Sequence, residues 1–159
     1  MQWIRRRVVE PLLSLLRQGI SPTALSLSVA FGAIVGIFPV LGVSTILLTL
    51  IAVFFRLNLP AIQLVNYLMS PLQLLLIIPF VRVGEWVLGA PRQPLNLAAG
   101  FALISHGALH AVRMLSHAIV HAATAWVLIG PPLIYLMHRA LTPVFERAAR
   151  LQSKRENAQ

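Results

Sequence analysis

From Thr23 through Phe55 the chain runs 33 residues without a charged side chain, and Phe38-Pro39-Val40-Leu41-Gly42 interrupts that run at its middle. A helix crossing the hydrocarbon core of a bilayer needs about 20 apolar residues. The run is therefore too long for one comfortable span, while each side of the break holds only about 15 residues, too few for another. The pattern predicts two short helices folded back on each other. At membrane depth, backbone groups freed by such a break need protein or a water-filled cavity to bond them, which makes the break the first place to look for function.

The breakers organise the rest. Ser21-Pro22 opens the first apolar helix with an N-cap side chain and a proline in the first turn, and Gly42 followed by Val43-Ser44-Thr45 opens a return helix to Phe55. Arg56-Leu57-Asn58-Leu59-Pro60 reads as a polar hinge. Ala61 to Met69 reads as a short helix ending at Ser70-Pro71, where the start signal recurs and launches Leu72 to Leu88. Two Ser-Pro starts, each paired with a short helix, predict two broken or re-entrant hairpins within residues 21–90. Ser28, Gly32 and Gly36 form a ridge of small residues that lets helices approach closely, and Gly32, Gly36 and Gly42 are expected at the hairpin packing. Ala90 to Pro94 is the linker. Residues 95–140 are expected to hold a histidine-striped helix and then a span, Ala118 to Leu136, bent at Gly130-Pro131-Pro132 and closed by His138 and Arg139. Between Asn96 and Ile129 a hairpin and one long tilted helix both remain open.

Composition and charge set this in a membrane. Apolar residues make up 58% of the chain and charged residues 11%, against about 25% charged in soluble domains; a soluble fold of 159 residues has no core large enough to hide so much apolar surface. All four acids are Glu, against 13 Lys and Arg, for a net charge of +9. Arg5, Arg6, Arg7 and Arg17 precede the apolar block, and Arg147, Arg150, Lys154 and Arg155 follow it. Charge at the ends of an apolar block suits anionic headgroups, whereas nucleic-acid binding requires a soluble basic face with aromatic or polar readers. Residues 1–20 read as a basic interfacial amphipathic helix, and residues 141–159 as its C-terminal counterpart with a tail. By the positive-inside rule both termini are expected in the cytoplasm, with an even number of full crossings or with re-entrant elements that do not cross. The expected class is an all-α, polytopic integral membrane protein with two broken or re-entrant helical hairpins plus a C-terminal helical segment, in the bacterial inner membrane. Cysteine is absent, so neither disulfides nor thiolate chemistry enter.

Ser21-Pro22, Ala30-Phe31-Gly32, Gly36-Ile37-Phe38-Pro39 with Gly42 and Thr45, Arg56-Leu57-Asn58-Leu59-Pro60 and the Ser70-Pro71 step together make the chain, over about residues 15–90, resemble the bacterial membrane domain-of-unknown-function family 2062. That family usually has Asn-Pro-Thr where this chain has Ser70-Pro71-Leu72. The resemblance implies a fold and carries no established chemistry.

A helix N-terminus presents unpaired N–H groups and a partial positive charge, which makes it an anion site of most value in a low-dielectric surround. Ser21, Pro39, Gly42, Thr45, Asn58 and Ser70 mark such starts and their neighbours, and Arg56 and Arg82 are the candidate counter-charges. Arg82 and Glu85, three residues apart on a helix, also suit a structural ion pair, and Arg56 also suits a snorkelling interfacial cation. His106, His110, Arg113, His117 and His121 share one helical stripe. The two HxxxH spacings can put two imidazoles on one metal, but no acidic or thiol ligand lies near them in sequence, so a wet polar stripe is the better account, with no metal and no cofactor expected. There is no phosphate loop, nucleophile elbow or carboxylate pair, and the protein is not expected to be an enzyme. Three functions follow in order: a carrier or flippase for an anionic solute or lipid, a non-catalytic membrane scaffold or assembly factor, and a metal-dependent membrane hydrolase. Membrane lipids, especially anionic ones, are the expected partners, with a homo-oligomer or other membrane proteins beside them and no nucleic acid.

Overall fold

The computed structural model describes residues 20–40, 42–92 and 108–156, together with Glu10 and Ser14. Its elements are all helical: α1 (Pro22–Gly36), α2 (Val43–Phe54), α3 (Leu59–Leu88) and α4 (Ala108–Glu156). The expected interfacial helix over residues 1–20, apart from Glu10, Ser14 and Ile20, the linker beyond Arg92 and His106 lie outside the described residues.

α1 begins where its cap predicts. Ser21 Oγ accepts the Ala24 N–H at 3.2 Å and Pro22 occupies the first turn, where its missing N–H leaves no helical bond unmade. The break after Gly36 is real, and α2 starts from Gly42 in the left-handed region at φ 81°, a conformation that glycine adopts without a Cβ penalty. α2 ends in a Schellman turn, with the Leu57 N–H on the Ala52 carbonyl at 2.9 Å and the Arg56 N–H on Val53 at 3.4 Å. The left-handed position of that turn is held by Arg56 at φ 51°. Asn58 then caps α3 by accepting the Ala61 N–H at 2.8 Å.

The small-residue ridge packs α1 on the first half of α3. A Cβ on Gly32 would lie 2.8 Å from the Ile62 carbonyl oxygen and 2.9 Å from Val65 Cβ, and one on Gly36 would lie 3.2 Å from Asn66 Cα. Ser28 Oγ continues the ridge by accepting the Asn58 N–H at 3.2 Å. Gly42 takes no part in this packing, since nothing lies within 4 Å of its Cβ position. α4 runs antiparallel to α3 and to α1: Phe145 packs with Leu25 and Ala61 at the hairpin base, Ala122 and Ala125 pack with Ile37, Phe80 and Val81 further along, and Gly84 meets the His121 carbonyl at a crossing too close for any side chain.

The second expected hairpin is absent. α3 runs unbroken through Ser70-Pro71 and again through Pro79. Both prolines sit on the exposed side of the helix, so the carbonyls they leave unbonded, those of Tyr67 and Leu75, belong to exposed residues too. The inward ladder continues and the helix need not stop. Ser21-Pro22 starts a helix because Ile20 and Ser21 just ahead of it are not helical, whereas Ser70-Pro71 follows eleven residues of helix. Likewise α4 passes through Gly130-Pro131-Pro132 and Pro143 as one element of 49 residues, so the expected division near residue 140 is not a helix boundary, and from Ala108 onward there is no hairpin.

Leu59–Leu88 and Ser116–Leu151 are long and apolar enough to cross a membrane, with mean hydropathies of 1.8 and 1.6. Only 22% and 17% of their most apolar windows are buried, unlike the core helices of a soluble protein. α1 and α2 are about half as long as α3, and their turn meets α3 at Gln73, about 21 Å along a helix of about 45 Å.

Candidate functional site

The hairpin turn is held by a polar stripe on α3 that its composition alone does not announce. Gln63, Asn66, Ser70 and Gln73 recur at spacings of three, four and three, so they share one face of an otherwise apolar helix. Gln73, 4% exposed, donates from Nε2 to the Phe38 carbonyl at 2.6 Å. Asn66, also buried, donates from Nδ2 to Thr45 Oγ1 and Gln63 Oε1, both at 3.2 Å. Gln63 in turn donates to Thr49 Oγ1 at 3.2 Å and to the Thr45 carbonyl at 3.4 Å. Thr45, Thr49 and Gln63 are each half-buried, so the seam between α2 and α3 keeps a polar edge toward the outside.

The carbonyl end of α1 is closed as thoroughly. Phe38 N–H bonds the Val35 carbonyl at 2.9 Å, and the Trp126 indole reaches across from α4 to the Ile34 carbonyl at 2.8 Å. The Phe38 ring stands edge-on to Trp126 at 5.0 Å, and Pro39 is buried beside them.

The predicted site residues fall into three places. Pro39, Gly42, Thr45 and Ser70 gather at the tip. Ser21, Arg56 and Asn58 lie at the hairpin base, where Ser21 and Asn58 already serve as helix caps. Arg82 stands at the far end of α3, 2.8 Å from Glu85 Oε2, whose carboxylate is 2% exposed. Arg56 and Arg82 thus stand at opposite ends of about 35 Å of helix, the stretch from Leu59 to Arg82, and do not meet at one place. Ser70 is no helix start, and its hydroxyl stands only 3.5 Å from the Asn66 carbonyl within α3. Arg56 is exposed. Next to it Leu50, Ile51, Val53, Phe54 and Phe55 line an open, apolar hollow of about 470 Å³.

The pattern of one bacterial family, described as an uncharacterized protein conserved in bacteria (DUF2062), matches residues 5–154. The chain belongs to this family. The match extends well beyond residues 15–90 and takes in all four described helices, reaching residue 154 of α4. No curated protein and no solved structure matches the chain.

Sequence reasoning missed Gln63, Asn66, Gln73 and Trp126 in this DUF2062 protein. A signal for the first three was present, since amides repeating at helical spacing inside an apolar segment are unusual at membrane depth; dividing the segment at Ser70-Pro71 cut the stripe in two. It also missed a partly buried cluster at the base, where Ser26 Oγ lies 2.9 Å from both His138 Nδ1 and Thr142 Oγ1. Ser26 and Thr142 stand within donating distance of the Thr23 and His138 carbonyls. If their protons go there, His138 Nδ1 must carry the hydrogen that Ser26 accepts. Among the described residues no three His, Cys, Asp or Glu side chains come together to hold a metal. The side chains of His106 and His110 lie outside that description, and His117 and His121 remain a pair.

Proposed function

We propose that this DUF2062 protein is a non-enzymatic, multi-pass protein of the bacterial inner membrane that carries or flips an anionic lipid or solute along the seam between α2 and α3. In this reading α3 and α4 cross the bilayer in opposite directions. α1 and α2 form a re-entrant hairpin with its base at the cytoplasmic surface and its tip near the midplane, and both termini are cytoplasmic. The charge pattern supports it: Leu57 to Val81 is uncharged, with Arg56 and the Arg82–Glu85 pair at its two ends, and Arg139, Arg147 and Arg150 follow the α4 span on the base side. Trp86, 83% exposed, suits the far interface, and Tyr135 with Arg139 at 6.0 Å suits the near one.

The observation that carries the reading is the half-open polar edge of Thr45, Thr49 and Gln63 running from the hairpin base toward the tip. Acyl chains satisfy no hydrogen bonds, so polar groups kept at that depth serve packing against protein or the passage of a polar group. Arg56 stands at the entrance with an apolar hollow beside it, a combination that fits an anionic headgroup and its chain. The guanidinium offers a planar fork that Lys reproduces poorly. Loss of anionic-lipid translocation in proteoliposomes for Arg56→Lys and Arg56→Gln, with thermal stability in detergent unchanged, is the expected result. Full activity in both variants overturns the role of Arg56.

A second reading, a non-catalytic scaffold, draws on the closed carbonyl side of the break, where Gln73 and Trp126 already bond the Phe38 and Ile34 carbonyls. Absence of any translocation by the unaltered protein would establish that reading over the carrier.

A further inference from the structure

The outer face of α3 carries polar groups that no described element of the chain covers. Tyr67, Pro71, Leu74 and Ile78 recur at spacings of four, three and four, so they lie along one side of the helix. Tyr67 is 64% exposed, Leu74 57% and Ile78 52%. The other helices pack elsewhere on α3: α1 against Ile62 and Val65, α2 against Gln63 and Asn66, α4 against Phe80, Val81 and Gly84. Pro71 has no N–H and frees the Tyr67 carbonyl, and Pro79 frees that of Leu75 beside it. Among the described residues the Tyr67 hydroxyl makes no hydrogen bond. Gln73 stands level with the hairpin tip. Tyr67 lies six residues before it and Leu75 two after it, about 9 and 3 Å along the helix axis. With the tip near the midplane, both fall within a hydrocarbon core of about 15 Å half-thickness.

Acyl chains bond neither a hydroxyl nor a carbonyl. Prolines inside spanning helices are tolerated because neighbouring helices, side chains or water bond the carbonyls that they free. A spare donor and spare acceptors share this face at similar depth, so it is complementary to itself, and two-fold symmetry brings equal depths together. α4 frees the Val127 and Leu128 carbonyls at Pro131 and Pro132 in the same way, but the hydroxyl one turn before them, on Thr124, already donates to the Val120 carbonyl at 2.8 Å. We propose that two copies of the chain associate in the membrane through this face of α3, the Tyr67 hydroxyl of each donating to the Tyr67 carbonyl of the other. The pairing rests on the proposed crossing of the bilayer by α3 and is independent of transport. Between helices in lipid the hydrophobic effect supplies little, so association depends on packing and on such interhelical bonds.

The full chain has no cysteine, so single cysteines report contacts between copies directly. In membranes under mild oxidation Leu74→Cys should form a disulfide-linked dimer, and Leu128→Cys, at a site 56% exposed on the outer face of α4, should not. Energy transfer between fluorescently labelled copies, measured in bilayers over a range of protein-to-lipid ratios, gives the strength of the dimer. Tyr67→Phe should weaken it by about tenfold, about threefold for each of two symmetry-related bonds. Pro71→Ala, which restores an N–H for the Tyr67 carbonyl within its own helix, should weaken it as much, and the double variant no further, because both changes remove the same bond. Neither variant should unfold earlier than the parent, since the hydroxyl has no partner within the chain and alanine suits a helix interior better than proline. A monomer at every ratio, a dimer linked through Leu128→Cys in place of Leu74→Cys, additive losses, or a Tyr67→Phe dimer as tight as the parent overturns the pairing. So does a complex that forms only when a different membrane protein is added. Impermeant labelling of Leu151→Cys and Gly89→Cys from one side alone would remove the crossing itself, whereas labelling from opposite sides in a protein that stays monomeric overturns the pairing and leaves the crossing standing.

Discussion

Replacing Gln73 by leucine removes the donor that closes the hairpin tip and keeps roughly the same side-chain volume. The bond to the Phe38 carbonyl is short at 2.6 Å, and Gln73 is 4% exposed, so the orphaned carbonyl faces neither water nor another donor. Leaving a buried acceptor unsatisfied costs about 1–3 kcal/mol, partly offset by burying leucine in place of an amide. A net loss of about 2 kcal/mol is expected, which for a chain of this size lowers Tm by roughly 4–8 °C. Trp126 reports on the event directly, because its ring stands 5.0 Å from that of Phe38; unfolding followed by its fluorescence in a Trp3→Phe, Trp86→Phe background isolates the tip. Gln63→Leu is the internal comparison. Its three bonds are longer, at 3.2 to 3.4 Å, it is half-buried, and the Asn66 amide that loses its Oε1 keeps Thr45 Oγ1, so its loss should stay under about 1 kcal/mol. A Gln73→Leu protein as stable as the parent, or a Gln63→Leu protein destabilised as much as Gln73→Leu, would refute the argument that Gln73 anchors the turn.

Gly32→Ala should destabilise by about 1–3 kcal/mol, since its Cβ meets the Ile62 backbone, which cannot move aside as a side chain can. Gly42→Ala, with open space but a left-handed backbone, should lose about 1–2 kcal/mol through strain alone; detergent melting curves measure both, and a Gly32→Ala loss well under about 1 kcal/mol would show that the ridge is not tightly packed. Arg56→Gly should hold or raise stability by up to about 1 kcal/mol, because glycine relieves the left-handed strain while adding unfolded-state freedom. Its translocation should be lost, and a fall in Tm would mean that the guanidinium has a structural role instead. With no native cysteine in the way, single cysteines at Leu151 and Gly89 should react with impermeant reagent from opposite sides of the membrane in sealed vesicles, and reaction from one side alone would overturn the two-crossing arrangement.

How much of the site was legible depended on the range of the interaction concerned. The start of α1 at Ser21-Pro22, the break after Gly36, the start of α2 after Gly42 and the Asn58 cap of α3 were all readable, because capping and φ > 0 are decided within a few residues of chain. The Ser28-Gly32-Gly36 ridge was readable as a close-packing surface, and the Arg82–Glu85 pair as neighbours on one turn. Ser70-Pro71 carried the same local signal as Ser21-Pro22 and meant something else, since a proline inside a helix is tolerated when its face is turned away from the packing, and only the packing says which face that is. The partners of the break were likewise beyond the sequence: that Gln73 serves Phe38, 35 residues away, and Trp126 serves Ile34, 92 residues away, follows from how α3 and α4 lie across the hairpin. Local backbone chemistry determined where the helices of the hairpin begin and break. The tertiary structure alone decided which of their exposed backbone groups are satisfied, because a hydrogen bond between distant elements exists only once their packing brings donor and acceptor within reach.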